Sequence, residues 1–175
     1  MNYHKIEKTS IANGEGIRVV LWVSGCSLHC KGCHNPETWS LNSGGLFNES
    51  AKIELFEALD KPYIQGITFS GGHPLEDENM LDIYNLIIEI KEKFPNKDIW
   101  LYTGYRFEDI MEPQKCKLNE LHLLRATIIR MCDVVVDGKY IDEQRDLTLK
   151  WCGSRNQRVI DVKNSLKENK IVLYN

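Results

Sequence analysis

Short apolar runs bounded by turn residues recur along the chain, and each is short enough to be a strand buried in a sheet. They occupy residues 17–23, 66–69, 99–102, 134–136 and 158–162. The pattern therefore predicts five buried strands, with longer connecting segments between them.

Apolar residues at spacings of three and four predict two amphipathic helices in those connecting segments. The first spans residues 77–94 and ends before Pro95, which cannot continue a helix. Its apolar positions are Met80, Ile83, Tyr84, Ile87, Ile90 and Phe94. The second spans residues 118–131, with Leu118, Leu121, Leu124, Ile128 and Met131 on one side.

Strands that alternate with amphipathic helices predict an α/β fold, in which helices cover a parallel sheet. The chain has 175 residues, whereas a complete (β/α)8 barrel takes roughly 250. We therefore expect an incomplete TIM-like (β/α) barrel of about five to six βα units, or an open curved sheet. No repeat or linker divides the chain, so residues 1–175 are expected to form a single domain, with residues 35–50 as the longest loop.

Charge and composition narrow the classes of function. The formal net charge is -3 and no basic stripe is present, which argues against binding of a nucleic acid polymer. The first ten residues are polar, and no apolar run approaches the length of a membrane span. We expect a cytoplasmic protein whose six cysteines are reduced thiols or metal ligands.

Three of the six cysteines, Cys26, Cys30 and Cys33, lie within eight positions directly after the strand predicted at 17–23. Three thiolates so close in sequence can hold a [4Fe–4S] cluster, which normally takes four, and no fourth cysteine lies nearby. The amino and carboxylate groups of S-adenosylmethionine can chelate an iron that has no protein thiolate. One electron then cleaves the cofactor to methionine and a 5′-deoxyadenosyl radical, chemistry that the protein positions and shields.

A zinc site of the Cys3His type is the alternative that the spacing also allows, with His29 or His34 as the fourth ligand. The other three cysteines, Cys116, Cys132 and Cys152, are isolated. We interpret them as buried small apolar residues or incidental thiols.

A glycine pair, Gly71 and Gly72, follows the strand predicted at 66–69. Glycines at the carboxyl end of a strand let a ligand approach the backbone, where carbonyl groups can accept hydrogen bonds from an ammonium group. Pro74 keeps His73 extended. A Gly-Gly pair by itself is also typical of a simple turn.

Together, Cys-x3-Cys-x2-Cys after the first strand and Ser-Gly-Gly after the next resemble the radical S-adenosylmethionine superfamily. More narrowly, the chain is similar to the family of proteins that activate anaerobic, class III ribonucleoside-triphosphate reductases by installing a glycyl radical. The similarity covers nearly the whole chain and rests on residues 1–4, 13–16, 23–26, 32–36, 39, 100, 102–105, 136–139, 153, 154, 156 and 157.

The resemblance implies roles for particular residues. The three clustered cysteines would bind the [4Fe–4S] cluster. Gly32, Cys33 and His34 would lie beside the adenosyl part of S-adenosylmethionine, and Gly72 beside its methionine part. The partners would be the large subunit of the reductase and, as electron donor, a flavodoxin or ferredoxin. No side chain need act as acid, base or nucleophile, because catalysis rests on positioning.

Two positions depart from the pattern of these relatives. His73 stands where most carry Asp or Glu, and Cys152 where we expect Arg more often. A carboxylate can form an ion pair with the cofactor's ammonium group, whereas an imidazole can only accept through one nitrogen or, when charged, repel it. We therefore expect weaker or pH-sensitive cofactor binding, and the same or better affinity in His73→Asp.

Three other functions stay open at this point. The chain is also compatible with an activase of another glycyl-radical enzyme, such as pyruvate formate-lyase. Outside that class, it is compatible with an electron carrier or with a zinc-stabilised binding module. A carrier is expected to close its cluster with a fourth cysteine, and a zinc module to lack iron.

Overall fold

The computed structural model describes residues 1–112 and 119–175. Its seven strands are β1 (Asn2–Ser10), β2 (Arg18–Val23), β3 (Gly45–Leu46), β4 (Gly66–Gly71), β5 (Asp98–Tyr102), β6 (Val134–Asp137) and β7 (Arg158–Asp161). They form one sheet in the order β3-β1-β2-β4-β5-β6-β7. All five strands predicted from the apolar runs are present, and the chain is α/β.

Four neighbouring strands, β2, β4, β5 and β6, are parallel. The strands at the edges are antiparallel to their neighbours, since β1 pairs with both β2 and β3, and β7 pairs with β6. The expectation of about five to six βα units is therefore too high. Within the described residues, α-helical crossovers connect only the four central strands, because a short turn joins β1 to β2 and no α-helix lies between β6 and β7.

Among the residues that the structure describes, five α-helices follow the strands: α1 (Glu49–Leu59), α2 (Met80–Lys93), α3 (Phe107–Met111), α4 (Glu120–Met131) and α5 (Val162–Glu168). The helix predicted at 77–94 corresponds to α2, whose predicted apolar face is buried at Met80, Ile83, Ile87 and Ile90. Within the described ranges, no helix is long and apolar enough to cross a membrane.

The helix predicted at 118–131 corresponds to α4, and the predicted apolar face is confirmed in part. Ile128 is buried, and Leu124 and Met131 pack partly buried against the core, but Leu121 is 38% exposed. The other buried residues of the helix are His122, Ala126 and Ile129. Asn119 sets the start of the helix by accepting a hydrogen bond from the His122 backbone amide at 2.8 Å. Leu118 and Cys116 lie outside the described residues.

The two faces of the sheet have different environments. The parallel strands follow one another in a single direction across the sheet, so right-handed crossovers place their helices on one face. Residues of alternate strand positions, such as Leu21, Phe69 and Leu101, pack there against the helices. The opposite face carries Trp22, Ser70 and Tyr102, which border a cavity.

A buried arginine closes this second face near the amino ends of the strands. Arg18 is fully buried and donates from Nε to Thr68 Oγ1 at 2.8 Å and from Nη2 to the Ile67 carbonyl at 2.8 Å. Its Nη2 also lies 2.5 Å from Asp98 Oδ1. The guanidinium stands over the ring of Trp100, 5.1 Å from its centroid. Its hydrogen-bonding groups are thus satisfied within the fold, as a buried charge requires.

Candidate functional site

A cavity of about 580 Å³ opens on the helix-free face, at the carboxyl ends of the parallel strands. It is bordered by the loop that follows β2, by the glycines that end β4, and by residues after β5 and β6. Ligands of α/β proteins bind at this end of the strands. Its volume is within the range of small-molecule sites, about 300–1,000 Å³.

The loop that carries the clustered cysteines is fixed by backbone hydrogen bonds. The Gly25 and Cys26 amides donate to the carbonyls of Thr38 and Trp39 at 2.7 and 2.9 Å, and the Cys33 amide donates to the Cys30 carbonyl at 3.1 Å. Gly25 has a φ of 95°, which a residue with a side chain rarely adopts. These hydrogen bonds fix the backbone of the loop on both sides of its cysteines.

Cys26, Cys30 and Cys33 all border the cavity, and none of them forms a disulfide. Burial raises the pKa of the Cys26 and Cys30 thiols, so they are protonated at neutral pH when no metal is bound. Metal binding at such thiols releases protons. The structure thus brings the three predicted ligands to one cavity.

The other described cysteines have different surroundings. Cys132 is buried at the end of α4, where its Sγ lies 3.3 Å from the Ile128 carbonyl, as expected for a small apolar residue in the core. Cys152 borders the same cavity as the three clustered cysteines, which the sequence did not indicate. Burial raises the pKa of its thiol to about 11.

The two candidate fourth zinc ligands have different surroundings. His29 stacks on Trp39 with ring centroids 4.6 Å apart, and it does not border the cavity. His34 borders the cavity and contacts the ring of Tyr140 edge-on at 5.9 Å. In the part of the chain that the structure describes, no three His, Cys, Asp or Glu side chains are grouped to hold a single metal ion.

The glycine pair borders the cavity and also packs tightly against the cysteine loop. Gly71 has a φ of 106°, and a Cβ built on Gly72 would lie 2.5 Å from the Gly25 carbonyl oxygen. The Gly72 amide donates to the Val23 carbonyl at 2.8 Å. These two positions therefore require glycine for close packing, and their backbone is also open to a ligand.

Of the remaining residues predicted to contact a cofactor, three border the cavity and one does not. Cys33, His34 and His73 border the cavity, whereas Gly32 is not among its bordering residues. Gly32 is exposed and faces Asp142, whose Oδ1 would lie 2.6 Å from an added Cβ. The side chain of His73 is only 2% exposed. Its Nε2 lies 2.9 Å from Thr103 Oγ1.

The wall opposite the cysteine loop was not predicted from the sequence. It includes Tyr102, Thr103, Trp151 and Gln157. The Tyr102 hydroxyl donates to the Trp151 carbonyl at 2.9 Å, and burial raises the pKa of this phenol, so it is neutral. The position of Tyr102 at the carboxyl end of a predicted strand is the one sequence signal that could have identified this wall.

Gln157 connects two segments of this wall. Its Nε2 donates to the Gly138 carbonyl at 2.9 Å, and its Oε1 accepts from the Gly153 and Ser154 amides at 2.8 and 3.2 Å. The side chain thereby fixes the turn after β6 to the segment that carries Cys152. This part of the wall is built by hydrogen bonds that stay within the protein.

The residues around the cavity fit an iron–sulfur cluster with a small organic ligand. Cysteine is the usual ligand of such clusters, and three cysteines reach the cavity from one rigid loop. The aromatic and glycine residues on the other sides suit the adenosyl and amino acid parts of a nucleoside-containing ligand.

Comparison with known proteins supports this interpretation. Residues 12–160 match the model of a protein family described as a 4Fe-4S single cluster domain. The chain is 44% identical over 161 residues to the anaerobic ribonucleoside-triphosphate reductase-activating protein of Enterobacteria phage T4, covering 91% of this chain and 93% of that protein. The proteins of the same name from Escherichia coli K12 and Vibrio cholerae are 40% and 38% identical, over 97% and 96% of their lengths.

Proposed function

The chain belongs to the family of anaerobic ribonucleoside-triphosphate reductase-activating proteins, and from this premise we propose that it generates the glycyl radical of such a reductase. The chain is then an oxidoreductase that carries a [4Fe–4S] cluster and acts on a protein substrate. Its second cofactor would be S-adenosylmethionine.

A single observation carries the proposal: three cysteines from one rigid loop and a glycine pair from the next parallel strand border the same cavity. Three ligands leave one iron of a cubane without a protein thiolate. When bound, the cluster would pass one electron from the donor protein to S-adenosylmethionine, and cleavage to methionine would provide the 5′-deoxyadenosyl radical that takes a hydrogen atom from a glycine Cα of the reductase.

The residues of this chain have binding and positioning roles. Cys26, Cys30 and Cys33 would hold the cluster. The backbone carbonyls at Gly71 and Gly72 would accept hydrogen bonds from the ammonium group of the methionine part. Their close packing on the cysteine loop fixes the distance between the two halves of the site, and radical transfer requires such near-contact geometry.

The adenosyl part would lie beside Cys33 and His34, on the side of the cavity that Tyr140 also borders. We do not assign Gly32 to this contact, since it faces Asp142. Tyr102 and Trp151 would shield the site from water and from competing hydrogen donors. No side chain is required as acid, base or nucleophile.

The partners follow from the same proposal. The protein substrate would be the large subunit of the reductase, and the electron donor a flavodoxin or ferredoxin in the cytoplasm. With all helices of the central strands on one face, we propose that the sheet curves as a partial TIM-like barrel. Its open side would admit the glycine-bearing loop of the reductase.

The test is anaerobic reconstitution with iron and sulfide, followed by incubation with S-adenosylmethionine, a one-electron reductant and the reductase. We expect a glycyl radical signal by electron paramagnetic resonance, and 5′-deoxyadenosine as a product. Formation of 5′-deoxyadenosine without a glycyl radical on this reductase, but with one on pyruvate formate-lyase, would contradict the proposed partner. A protein that binds zinc and no iron would contradict the whole proposal.

A further inference from the structure

We propose that Glu76 is a positioning residue for the first cluster ligand, Cys26, and that His73 holds Glu76 in place. The inference rests on the proposed function, since it assigns a role to residues around the same cluster. It also gives His73 a task other than contact with the cofactor's ammonium group.

The segment from His73 to Glu76 binds the backbone on both sides of Cys26. On one side, the His73 amide donates to the Gly25 carbonyl at 2.6 Å. On the other side, the Ser27 amide donates to Glu76 Oε2 at 2.9 Å. The two peptide groups next to Cys26 are thus fixed by two residues of the segment that directly follows β4.

A third contact fixes the segment itself. Asn79 is 1% exposed, and its Nδ2 donates to the Ser24 carbonyl at 2.7 Å and to the His73 carbonyl at 3.2 Å. The segment is thereby held to the end of β2, directly before the cysteine loop. From this fixed segment, the side chain of Glu76 extends past the cluster ligand Cys26 to the Ser27 amide.

His73 is placed to orient Glu76. Its Nε2 lies 2.9 Å from Thr103 Oγ1, its ring packs edge-on against Tyr105 at 4.6 Å, and its Nδ1 lies 3.5 Å from Glu76 Oε2. The last distance is longer than a short hydrogen bond, so Nδ1 faces the carboxylate without a close partner. Since one ring nitrogen contacts Thr103 and the other faces Glu76, the imidazole is engaged within the protein.

A side-chain oxygen of Glu76 supplies the acceptor for the Ser27 amide. This side chain is 14% exposed. The contact with His73 and the Ser27 amide hold the pKa of Glu76 at about 2, so it is ionised at neutral pH. A charged acceptor strengthens the hydrogen bond from the Ser27 amide. Residues that orient metal ligands in this way typically change metal affinity by about 10–100-fold when removed.

For His73→Asp, this role makes a prediction about retention of the cluster, in addition to the sequence-based expectation about affinity for S-adenosylmethionine. The substitution would place a second carboxylate within the buried contact of Glu76, where two like charges repel. We expect the single variant His73→Asp to release iron faster than the unaltered protein. We expect the charge-reversed pair, His73→Asp with Glu76→His, to restore the rate of the unaltered protein. In that pair, one imidazole nitrogen at position 76 can accept from the Ser27 amide while the other donates to the new aspartate.

The experiment measures iron release from the anaerobically reconstituted full chain to a chelator, together with the paramagnetic resonance spectrum of the reduced cluster with and without S-adenosylmethionine. We expect Glu76→Ala to release iron about tenfold faster than the unaltered protein. We expect Glu76→Gln to stay close to the unaltered protein, because its amide oxygen still accepts from the Ser27 amide. The matched control is Glu78→Ala, which removes an exposed carboxylate two residues away.

Recovery of iron retention in the paired variant distinguishes a positioning role of Glu76 from a general effect on the stability of the fold. His73→Asp should release iron faster and broaden the cluster spectrum, and the charge-reversed pair should restore both. If Glu76→Ala matches Glu78→Ala, or if the pair is no better than His73→Asp alone, the assignment is wrong. If Glu76→Ala does not fold, the comparison of the pair with His73→Asp decides. An unaltered protein that takes up no cluster would instead refute the proposed function.

Discussion

Gly72→Ala tests whether the glycine pair fixes the distance between β4 and the cysteine loop. The added Cβ would lie 2.5 Å from the Gly25 carbonyl oxygen and 2.9 Å from that of Thr38, whereas carbon and oxygen normally stay about 3.3 Å apart. Relief requires a shift of roughly 0.8 Å, which lengthens the backbone hydrogen bonds of Gly72 and His73. Two weakened bonds and the overpacking together cost about 2–4 kcal/mol.

The assay is urea and thermal unfolding of the reduced protein without metal, followed by measurement of iron uptake. A loss of that size lowers the melting temperature by about 5–15 °C in a chain of this length. The matched control is Gly45→Ala, where an added Cβ meets no atom within 4 Å, so the free energy of unfolding should change by less than about 0.5 kcal/mol. Equal stability of the two variants would refute the packing role of Gly72.

Three further predictions concern other parts of the chain. Cys152→Ser should leave the iron content and the spectral response to S-adenosylmethionine unchanged; loss of the cluster would make Cys152 a fourth ligand. Hydrogen bonds from Arg158 hold the pKa of Glu108 at about 2, below its usual value of 4.5, so this pair stabilises the fold above about pH 5 and its contribution is lost as the pH falls from 4.5 towards 2. Glu108→Gln should flatten that part of the profile of unfolding free energy against pH, and an unchanged slope would contradict the assignment. Arg18→Ala should lower the free energy of unfolding by about 3–5 kcal/mol, because it leaves Asp98 without its buried partner; a loss under about 1 kcal/mol would show that water replaces the guanidinium.

The strands of the parallel sheet were predictable because they are buried on both faces. Continuous apolar runs such as that of β2 are typical of parallel strands that are covered on both faces. The strand β1 was missed because its sequence is polar, with Lys5, Glu7 and Lys8 among its nine residues. Its structure comes from antiparallel pairing with β2, and no local pattern encodes a pairing.

The face of α4 was predicted only in part, because apolar periodicity does not show where a neighbouring helix lies. Ile128 is buried as predicted, but Leu121 is exposed and the smaller Ala126 is buried. Helix α4 packs against α2. A close helix contact favours a small residue at its centre. Such tertiary packing overrides the apolar periodicity of a single helix.

The candidate site was predictable where its residues are close in sequence. The three clustered cysteines and the glycine pair each form a short motif at the end of a strand. Cys152 and Gln157 were not predictable as part of the cavity. They lie more than a hundred residues after the cysteine loop in the sequence. The burial of His73 was not predictable either. Its ring contacts Thr103, which follows β5 rather than β4.

The most direct test of the account is Mössbauer spectroscopy of the full chain reconstituted with ⁵⁷Fe in the absence of oxygen. We predict a [4Fe–4S] cluster in which one iron of the four differs from the others and changes its isomer shift when S-adenosylmethionine is added. Four irons that are all unaffected by S-adenosylmethionine would contradict the claim that Cys26, Cys30 and Cys33 leave one iron open.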